Sequence, residues 1–247
     1  MNRMTFPRIN LHIHSNFSDG KNSIQQIVEG ALRSKLNYIA ITDHYTDSWK
    51  KWVSNLKDDN IISEYLEEIT ICQKYLIRNN DKNLILQKGL EIDLGSTEQF
   101  IKKIQPSEFD LILFEYLETL EGIAFMRNVI NSWKNLSKGN INFPILGLAH
   151  FDPSYFIHGS IDILINFLKK FKIYFEFNPR YPRFYSRQYE LFFEKIKDNN
   201  IPVAIGSDSH SVASIDNLEE PLEMIKYYNL EPNFQILIDT LEIRNKF

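Results

Sequence analysis

The chain has 247 residues, 43% hydrophobic and 24% charged, and its 28 Lys and Arg against 32 Asp and Glu give a formal net charge of −4. This composition is typical of a folded globular protein, and it excludes disordered and collagen-like chains as well as a strongly basic, nucleic-acid-binding surface over the whole chain. The single cysteine, Cys72, allows neither an internal disulfide nor a thiolate zinc cluster, so any metal ion must be held by carboxylates and by the six histidines.

The sequence shows no sign of membrane targeting or of division into domains. Its first 20 residues contain no apolar segment of the length that a signal peptide needs, and no segment approaches the ~18 consecutive apolar residues of a membrane span. We therefore predict a cytoplasmic location and no membrane partner. The sequence also lacks linkers, repeats and low-complexity segments, which predicts a single domain over residues 1–247.

Short β-rich segments alternate with longer helical ones along the chain. Predicted strands cover residues 9–14, 38–42, 84–90, 111–114, 145–149, 173–177 and 203–206. Predicted helices cover residues 23–34, 63–78, 123–136, 161–171, 189–199 and 218–228. The first helix begins at Ser23, and Gln26 is its capping-box partner. Several strands are continuously apolar, as in a parallel sheet buried on both faces, so the pattern predicts an α/β fold with a closed or nearly closed seven-stranded (β/α) barrel.

Histidines and carboxylates occur at the predicted strand ends, where barrels of this kind place their active groups. His12 and His14 end the first strand with one residue between them, so both imidazoles point to the same face and can hold one ion. An isolated His-x-His pair is a weak signal, but five of the six histidines and three or four carboxylates map to the same end of the barrel. The further members are Asp19, Asp43, His44, Glu91, His150, Asp208 and His210. This joint placement predicts a multinuclear metal site, with His158 outside it as an ordinary loop residue.

As a set, these motifs resemble the PHP (polymerase and histidinol phosphatase) family of metal-dependent phosphoesterases. The matching motifs are short and follow the family's order from residue 12 to residue 210. They are His12-x-His14, Ser18-Asp19-Gly20, Thr42-Asp43-His44, Gly89-Leu90-Glu91, His150 and Asp208-x-His210. The family's fold is a distorted seven-stranded α/β barrel, which agrees with the strand count reached from the sequence pattern.

The resemblance implies two or three divalent ions, which are zinc, manganese or iron across the family. The implied ligands are His12, His14, Glu91 and Asp208 for one ion, Glu91 and His150 for a second, and Asp19, His44 and His210 for a third. It also implies Asp19, His44 and Asp208 as candidate catalytic residues. Mixed imidazole and carboxylate ligands suit borderline ions of this kind and not calcium.

One ligand position departs from the family pattern. The family usually has a further histidine after its fourth strand, and the corresponding position here is near Leu117, in the segment FDLILFEYLE. Glu115 or Glu118 could supply an oxygen ligand instead, and we prefer Glu115 because it follows the strand directly. The alternative is that both face solvent and the second ion is weakly held or absent. A glutamate ligand here would favour manganese or iron over zinc.

Arginine and aromatic side chains follow the sixth predicted strand. Arg matches phosphate bidentately and aromatic rings can stack on a base, so this loop is a candidate substrate site. The candidate substrate-binding residues are Asn178 of the Glu176-x-Asn178 element, Arg180, Arg183 and Arg187, with Lys21 as a weaker candidate. Phe151, Tyr155 and Phe156 could wall the same opening. The alternative is that these aromatic side chains only pack the loops onto the barrel while the arginines are solvated.

The function we predict is hydrolysis of a small phosphorylated substrate by a metal-activated hydroxide. The substrate could be a phosphomonoester such as histidinol phosphate, or a nucleotide phosphate or diester. The acidic net charge disfavours long nucleic acid but leaves a short oligonucleotide open. Two alternatives remain: an amidohydrolase-like metal hydrolase, and a metal-binding PHP-like domain without turnover. The sequence does not determine the oligomeric state.

Overall fold

Parallel strands form the sheet and neighbour one another in chain order, except that the short third strand lies off this path and pairs with the fourth. The structure is a computed structural model that describes residues 6–48, 52–81, 83–136 and 143–244. The strands are β1 Ile9–Ile13, β2 Tyr38–Ile41, β3 His44–Tyr45, β4 Ile85–Asp93, β5 Leu111–Glu115, β6 Ile145–Leu148, β7 Ile173–Phe177 and β8 Val203–Ile205. The helices are α1 Ile24–Arg33, α2 Asp59–Arg78, α3 Glu98–Ile101, α4 Leu120–Leu136, α5 Ile161–Phe171, α6 Glu190–Asp198, α7 Glu219–Tyr227 and α8 Glu231–Arg244.

The segment that follows β8 pairs with β1 and nearly closes the sheet into a barrel. The amide of His14 donates to the carbonyl of Ser209 at 2.9 Å, and the amide of Ser209 donates to the carbonyl of His12 at 3.3 Å. The buried side chain of Asn10 adds to this junction, because it donates to Ser207 Oγ at 2.6 Å and accepts from the Ser207 amide at 3.0 Å. The predicted distorted seven-stranded (β/α) barrel is confirmed.

β2 covers all but the last residue of the second predicted strand, 38–42. It pairs with β4 up to Ile41, and pairing resumes at His44 opposite Glu91. The sequence did not predict the short strand β3, which follows after the chain leaves the sheet at residues 42 and 43. The third predicted strand, 84–90, was too short: β4 runs to Asp93, so Glu91 lies inside a strand and not after it.

The strands are apolar on both faces because helices cover the outside of the barrel. Every residue of β1, β5 and β7 is buried. Helix α1 begins at the predicted capping box, in which the Gln26 amide donates to Ser23 Oγ at 3.3 Å and the Ser23 amide donates to Gln26 Oε1 at 3.1 Å. Helix α2 begins four residues earlier than predicted, since Asp58 caps it by accepting from two backbone amides.

The last helix, α8, was not predicted from the sequence. Its buried apolar residues are Phe234, Leu237, Ile238 and Leu241. They have the spacing of a helix face, so the signal was present. The helix packs beside β8 near the N-terminal ends of the strands. None of the helices in the described part of the chain has both the length and the apolar character needed to cross a bilayer.

Candidate metal centre

His12 and His14 project from β1 into the C-terminal end of the barrel, as their alternate spacing predicts. Both side chains are buried, and their Nε2 atoms lie 3.1 Å apart. Asp208, which follows β8, brings Oδ1 within 3.2 Å of His14 Nε2 and 3.8 Å of His12 Nε2. The junction between the first and last strands therefore supplies two imidazoles and one carboxylate to a single point.

Glu91 lies at the centre of the cluster. Its Oε1 is 3.1 Å from His12 Nε2 and 3.4 Å from His150 Nε2. Its Oε2 is 2.9 Å from His44 Nδ1 and 3.5 Å from His14 Nε2. Both oxygens are buried, and neither accepts a hydrogen bond of acceptable geometry. Buried charges need a partner, and a carboxylate placed among four imidazole nitrogens fits a bound cation.

Glu176 of β7 orients His12 from the side opposite the cluster. Its Oε1 lies 2.8 Å from His12 Nδ1, while Oε2 accepts from the His150 amide at 2.7 Å and from Asn178 Nδ2 at 2.9 Å. A proton held on Nδ1 leaves the lone pair of Nε2 directed at the cluster, which is the usual arrangement for a metal-bound histidine. Gly206 permits this contact, because a Cβ there would lie 2.0 Å from Glu176 Oε1.

A second group of side chains surrounds Asp19, in the loop after β1. Asp19 Oδ2 lies 3.1 Å from His210 Nε2. Asp19 Oδ1 lies 3.7 Å from both His44 Nε2 and His14 Nδ1. The buried Asp43 fixes this loop by accepting from the amides of Ser15 and Ser18 and from both hydroxyls. Asp43 thus supports the loop that presents Asp19, while the neighbouring His44 faces the cluster.

Glu115 and Glu118 are the two candidates for the ligand position at which the sequence departs from the family pattern. They lie in different environments. Glu115 is buried at the end of β5, 3.5 Å from His44 Nδ1 and 3.7 Å from His150 Nε2. Glu118 is exposed and lies beside Tyr155. The structure therefore places the carboxylate of Glu115, and not that of Glu118, among the candidate ligand atoms.

The donor atoms form three overlapping sets whose members lie within 4.8 Å of one another. These sets are His12, His14 and Asp208; His14, Asp19, His44 and His210; and His44, Glu91 and Glu115. His150 joins the last set through its contacts with both glutamates. Imidazole and carboxylate donors in closely spaced sets fit divalent transition ions.

Backbone strain accompanies two of these donors. His150 has a φ of 32° and Asp208 a φ of 48°, values that non-glycine residues rarely adopt. His150 is the second residue after β6, and Asp208 is the third residue after β8. Conformations of this kind persist where the surrounding contacts hold them, and they cluster at functional sites.

Burial disfavours the charged form of every group in the cluster, and the neighbouring charges decide the direction of each pKa shift. For His44, burial is outweighed by Glu91 and Asp19, which raise its pKa to about 10. Burial and the charge of His44 instead lower the pKa of His14 to about 4. Glu91 is fully buried, yet the imidazoles of His12 and His44 hold its pKa well below the ordinary range. Near neutral pH in the metal-free protein, the carboxylate of Glu91 is therefore ionised and the imidazole of His44 is protonated, so their charges offset each other.

Of the predicted substrate-binding residues, Arg180 lies closest to the cluster. Its Nη1 is 2.9 Å from Asp208 Oδ2 and 3.1 Å from His210 Nδ1. The exposed fraction of its side chain is 52%. Asn178 is buried beneath it: its amide group binds Glu176 and accepts from the Arg180 amide at 3.0 Å. Asn178 is thus placed to support the loop and does not face the opening.

The remaining basic candidates are exposed or contact aromatic rings. Lys21 and Arg183 are exposed, and Arg183 stacks on Phe184 at 4.8 Å. Arg187 lies over the ring of Tyr227 in α7, 4.5 Å from its centroid. The backbone amide of Lys21 donates to the carbonyl of His210 at 2.9 Å.

The aromatic residues near the opening divide into buried and exposed ones. Phe151 and Phe156 are buried and pack on each other, with Phe151 also against Phe192, so these two hold the loop to the barrel. The ring of Tyr181, which sequence reasoning did not single out, lies 4.9 Å from the ring of His150. Tyr155 remains exposed.

Comparison with known proteins identifies the family. The sequence model of the PHP domain matches residues 10–178, which is more than half of the chain. The chain therefore belongs to the PHP domain family, and the resemblance drawn from the motifs is confirmed. The matched region ends before Asp208 and His210.

Two individual proteins are similar to the chain at lower identity. The DNA polymerase/3′-5′ exonuclease PolX of Bacillus subtilis (strain 168) is 23% identical over 213 residues, which cover 85% of this chain and 35% of that protein. The chain thus spans about a third of the length of this relative. A two-domain protein from Bacteroides vulgatus ATCC 8482, containing a predicted PHP-like metal-dependent phosphoesterase, matches with a TM-score of 0.43 and 17% identity, over 88% of this chain and 56% of that one.

Proposed function

We propose that this protein is a metal-dependent phosphoesterase that hydrolyses a small phosphorylated substrate. The observation that supports this most directly is Glu91, whose two buried oxygens lie among four imidazole nitrogens and accept no hydrogen bond. Such a carboxylate fits a position between cations. Membership of the PHP domain family, over residues 10–178, supports the same function.

The residues that would hold the ions come from strand ends around the whole barrel. They are His12, His14, Asp19, His44, Glu91, Glu115, His150, Asp208 and His210. Ions bound here would neutralise phosphoryl oxygens and lower the pKa of a coordinated water, which is the chemistry that zinc, manganese or iron supplies to phosphate esters. The three donor sets among the described residues are compatible with two or three ions, since one set shares His14 with the second and His44 with the third.

The chain's own residues would bind and orient the ester. Arg180 extends over the cluster beside Asp208 and is half exposed, so its guanidinium can bind a phosphate oxygen from the open side. Glu176 keeps His12 in one orientation, and Asp43 keeps the Asp19 loop in place. Burial favours the neutral form of Asp19, but its contacts with His210 and His44 outweigh this effect and hold the pKa of its carboxyl well below the ordinary range, so Asp19 would serve as a charged ligand or proton acceptor and not as the acid for the leaving group.

Turnover of simple aryl phosphates tests the proposal. The protein is stripped of metal, and hydrolysis of 4-nitrophenyl phosphate and of bis(4-nitrophenyl) phosphate is measured after manganese, zinc or iron is added back. We expect activity with at least one ion and one ester. The substitution His12→Ala should lower kcat/KM by more than about 100-fold, because it removes a donor from the cluster.

His158→Ala is the matched control, since His158 is exposed and lies outside the donor sets. It should leave kcat/KM within a few-fold of the original value. Equal effects of the two substitutions would contradict the ligand assignment. Absence of turnover with every ion, together with less than one ion bound per chain, would refute the proposed function itself.

A further inference from the structure

A cavity lies at the end of the barrel opposite the metal centre. It has a volume of about 750 Å³ and is bounded by α8 and by the segments that lead into β6, β7 and β8. Pockets of this size hold small ligands in other proteins. Ile145, the first residue of β6, lines the cavity, whereas His150 of the metal centre follows the end of the same strand. The four residues of β6 separate the two regions by roughly 13 Å.

The cavity is lined by positive charge. Its five basic residues are Lys134, Lys169, Lys170, Lys172 and Arg244. None of the described residues that line it is acidic, although the chain as a whole carries a net charge of −4. These residues come from the ends of three helices, so the fold brings them together from distant parts of the sequence.

Helix dipoles explain only part of this clustering. Lys134 lies in the last turn of α4, and Lys169 and Lys170 lie in the last turn of α5, where a cation is favourable. The lysines also repel one another, however. Partial burial, followed by the charges of Lys170 and Lys172, lowers the pKa of Lys134. A bound anion would relieve this repulsion.

Beneath the basic rim the cavity is apolar. Ile145, Leu146, Ile201 and Leu237 are buried side chains that form part of its lining. Lys134 Nζ lies 5.0 Å from the ring centroid of Phe171 and 5.5 Å from that of Phe143. The cavity therefore combines an apolar floor with a cationic rim. A ligand that matches both has a polyanionic group joined to an apolar or planar body.

We propose that this cavity is a second binding site, for a small phosphorylated molecule whose phosphates contact the lysine rim and whose apolar or planar part rests on the floor. The site does not depend on the metal centre, because none of its lining residues belongs to the donor sets. Adenosine diphosphate, which has two phosphates and a planar base, is a suitable probe.

Calorimetric titration of the metal-stripped protein, in which the metal centre holds no cation to bind phosphate, tests the proposal, with ADP, inorganic pyrophosphate and adenosine compared in turn and the manganese-loaded protein as a reference. We expect ADP to bind more tightly than either fragment, and its affinity to fall with added salt. The double substitution Lys134→Gln and Lys170→Gln should weaken or abolish this binding event, by about tenfold or more. It should leave hydrolysis of aryl phosphate unchanged. Lys74→Gln, on the exposed face of α2, is the control and should bind ADP as the unmodified protein does.

Two results would overturn the proposal. The first is equal ADP affinity in the double variant, the Lys74 variant and the unmodified protein. The second is pyrophosphate binding as tight as ADP binding, since the apolar floor would then contribute nothing. Retention of the circular dichroism spectrum and thermal midpoint by the double variant, without ligand, separates loss of binding from loss of fold.

Discussion

Two glutamates only three residues apart have opposite environments: Glu115 is buried inside the barrel and Glu118 is exposed to solvent. Glu115 ends β5 and points towards His44 and His150, whereas Glu118 is exposed beyond the strand. Glu115 thus faces two imidazoles of the candidate metal centre, so it is the carboxylate whose proposed role as an ion ligand is the one to test.

We expect Glu115→Gln to lower the number of metal ions retained per chain after dialysis, because the amide removes the negative charge while keeping the shape. Metal content can be measured by inductively coupled plasma mass spectrometry. Glu118→Gln is the control and should retain the full complement. Equal metal content in both variants would show that the second ion does not use Glu115.

Much of the centre could be predicted residue by residue, because strand ends of a parallel barrel converge and the polar residues there stood out in an apolar sequence. The supporting contacts could not be predicted. Glu176 reaches His12 across the barrel, and Asn10 joins β1 to the segment after β8. Both contacts depend on which strands become neighbours at closure, and the sequence pattern does not contain that information. Asn178 was predicted to bind substrate. It is buried and donates to Glu176, and the sequence pattern did not reveal this contact either.

At the scale of elements, the junction of β7 and β8 sets the orientation of His12. Gly206 follows β8, and its amide donates to the carbonyl of Phe177 at 3.3 Å. A Cβ at this position would meet Glu176 Oε1 at 2.0 Å and His12 Cβ at 2.6 Å. These distances are shorter than any side chain can accept, so a larger residue must displace one of the two groups.

We expect Gly206→Ala to weaken metal binding by about 10- to 100-fold, as is usual when the partner that orients a metal-bound histidine is disturbed. It should also destabilise the fold by about 1–3 kcal/mol through overpacking. Competition with a chromogenic chelator measures the affinity, and urea denaturation measures the stability.

Gly122→Ala provides the comparison. Gly122 lies in α4, and its added Cβ would meet the end of the flexible Leu117 side chain at 2.9 Å. Alanine also favours a helix more than glycine does. Stability and metal affinity should both stay close to the original values. Unchanged metal affinity in the Gly206 variant would indicate that Glu176 is not needed to orient His12.

Element boundaries were less predictable than element types. The interruption between β2 and β3 occurs at Thr42 and Asp43, where the carboxylate of Asp43 binds the loop after β1. A local apolar pattern cannot reveal that contact, which joins residues distant in sequence. Helix α8, by contrast, has a regular apolar spacing, and Pro232 near its start suits a first turn. Both signals were present in the sequence.

At the scale of the whole molecule, protons and metal ions compete for the same imidazoles. In the metal-free protein, burial opposes charging of His12, His44, His150 and His210, but carboxylates outweigh it and raise each pKa. Stability gained in this way is complete below the ordinary pKa of about 6.5 and is lost as the pH rises through the folded-state value. That value is about 10 for His44. His14, with a pKa of about 4, stays neutral throughout this window.

Bound ions need unprotonated imidazoles, so they should stabilise the protein more as the pH rises. We expect the difference in Tm between manganese-loaded and metal-stripped protein to widen between about pH 6 and pH 9. Differential scanning calorimetry at matched ionic strength measures this difference. A constant or shrinking gap would mean that the imidazoles do not exchange protons for metal. The variant His158→Gln should show the same widening as the unmodified protein.

The junction between β1 and the segment after β8 has a consequence for the order of folding. It joins residues about as far apart in sequence as any contact in the sheet, since Asn10 and Ser207 are separated by 197 in residue number. Contacts of such sequence separation require closure of a very long loop, and they form slowly. Until that closure occurs, His12 and His14 are separated from Asp208 and His210. We therefore expect tight metal uptake only after this closure, because a chain with only β1 to β4 in place would present five of the nine proposed ligands.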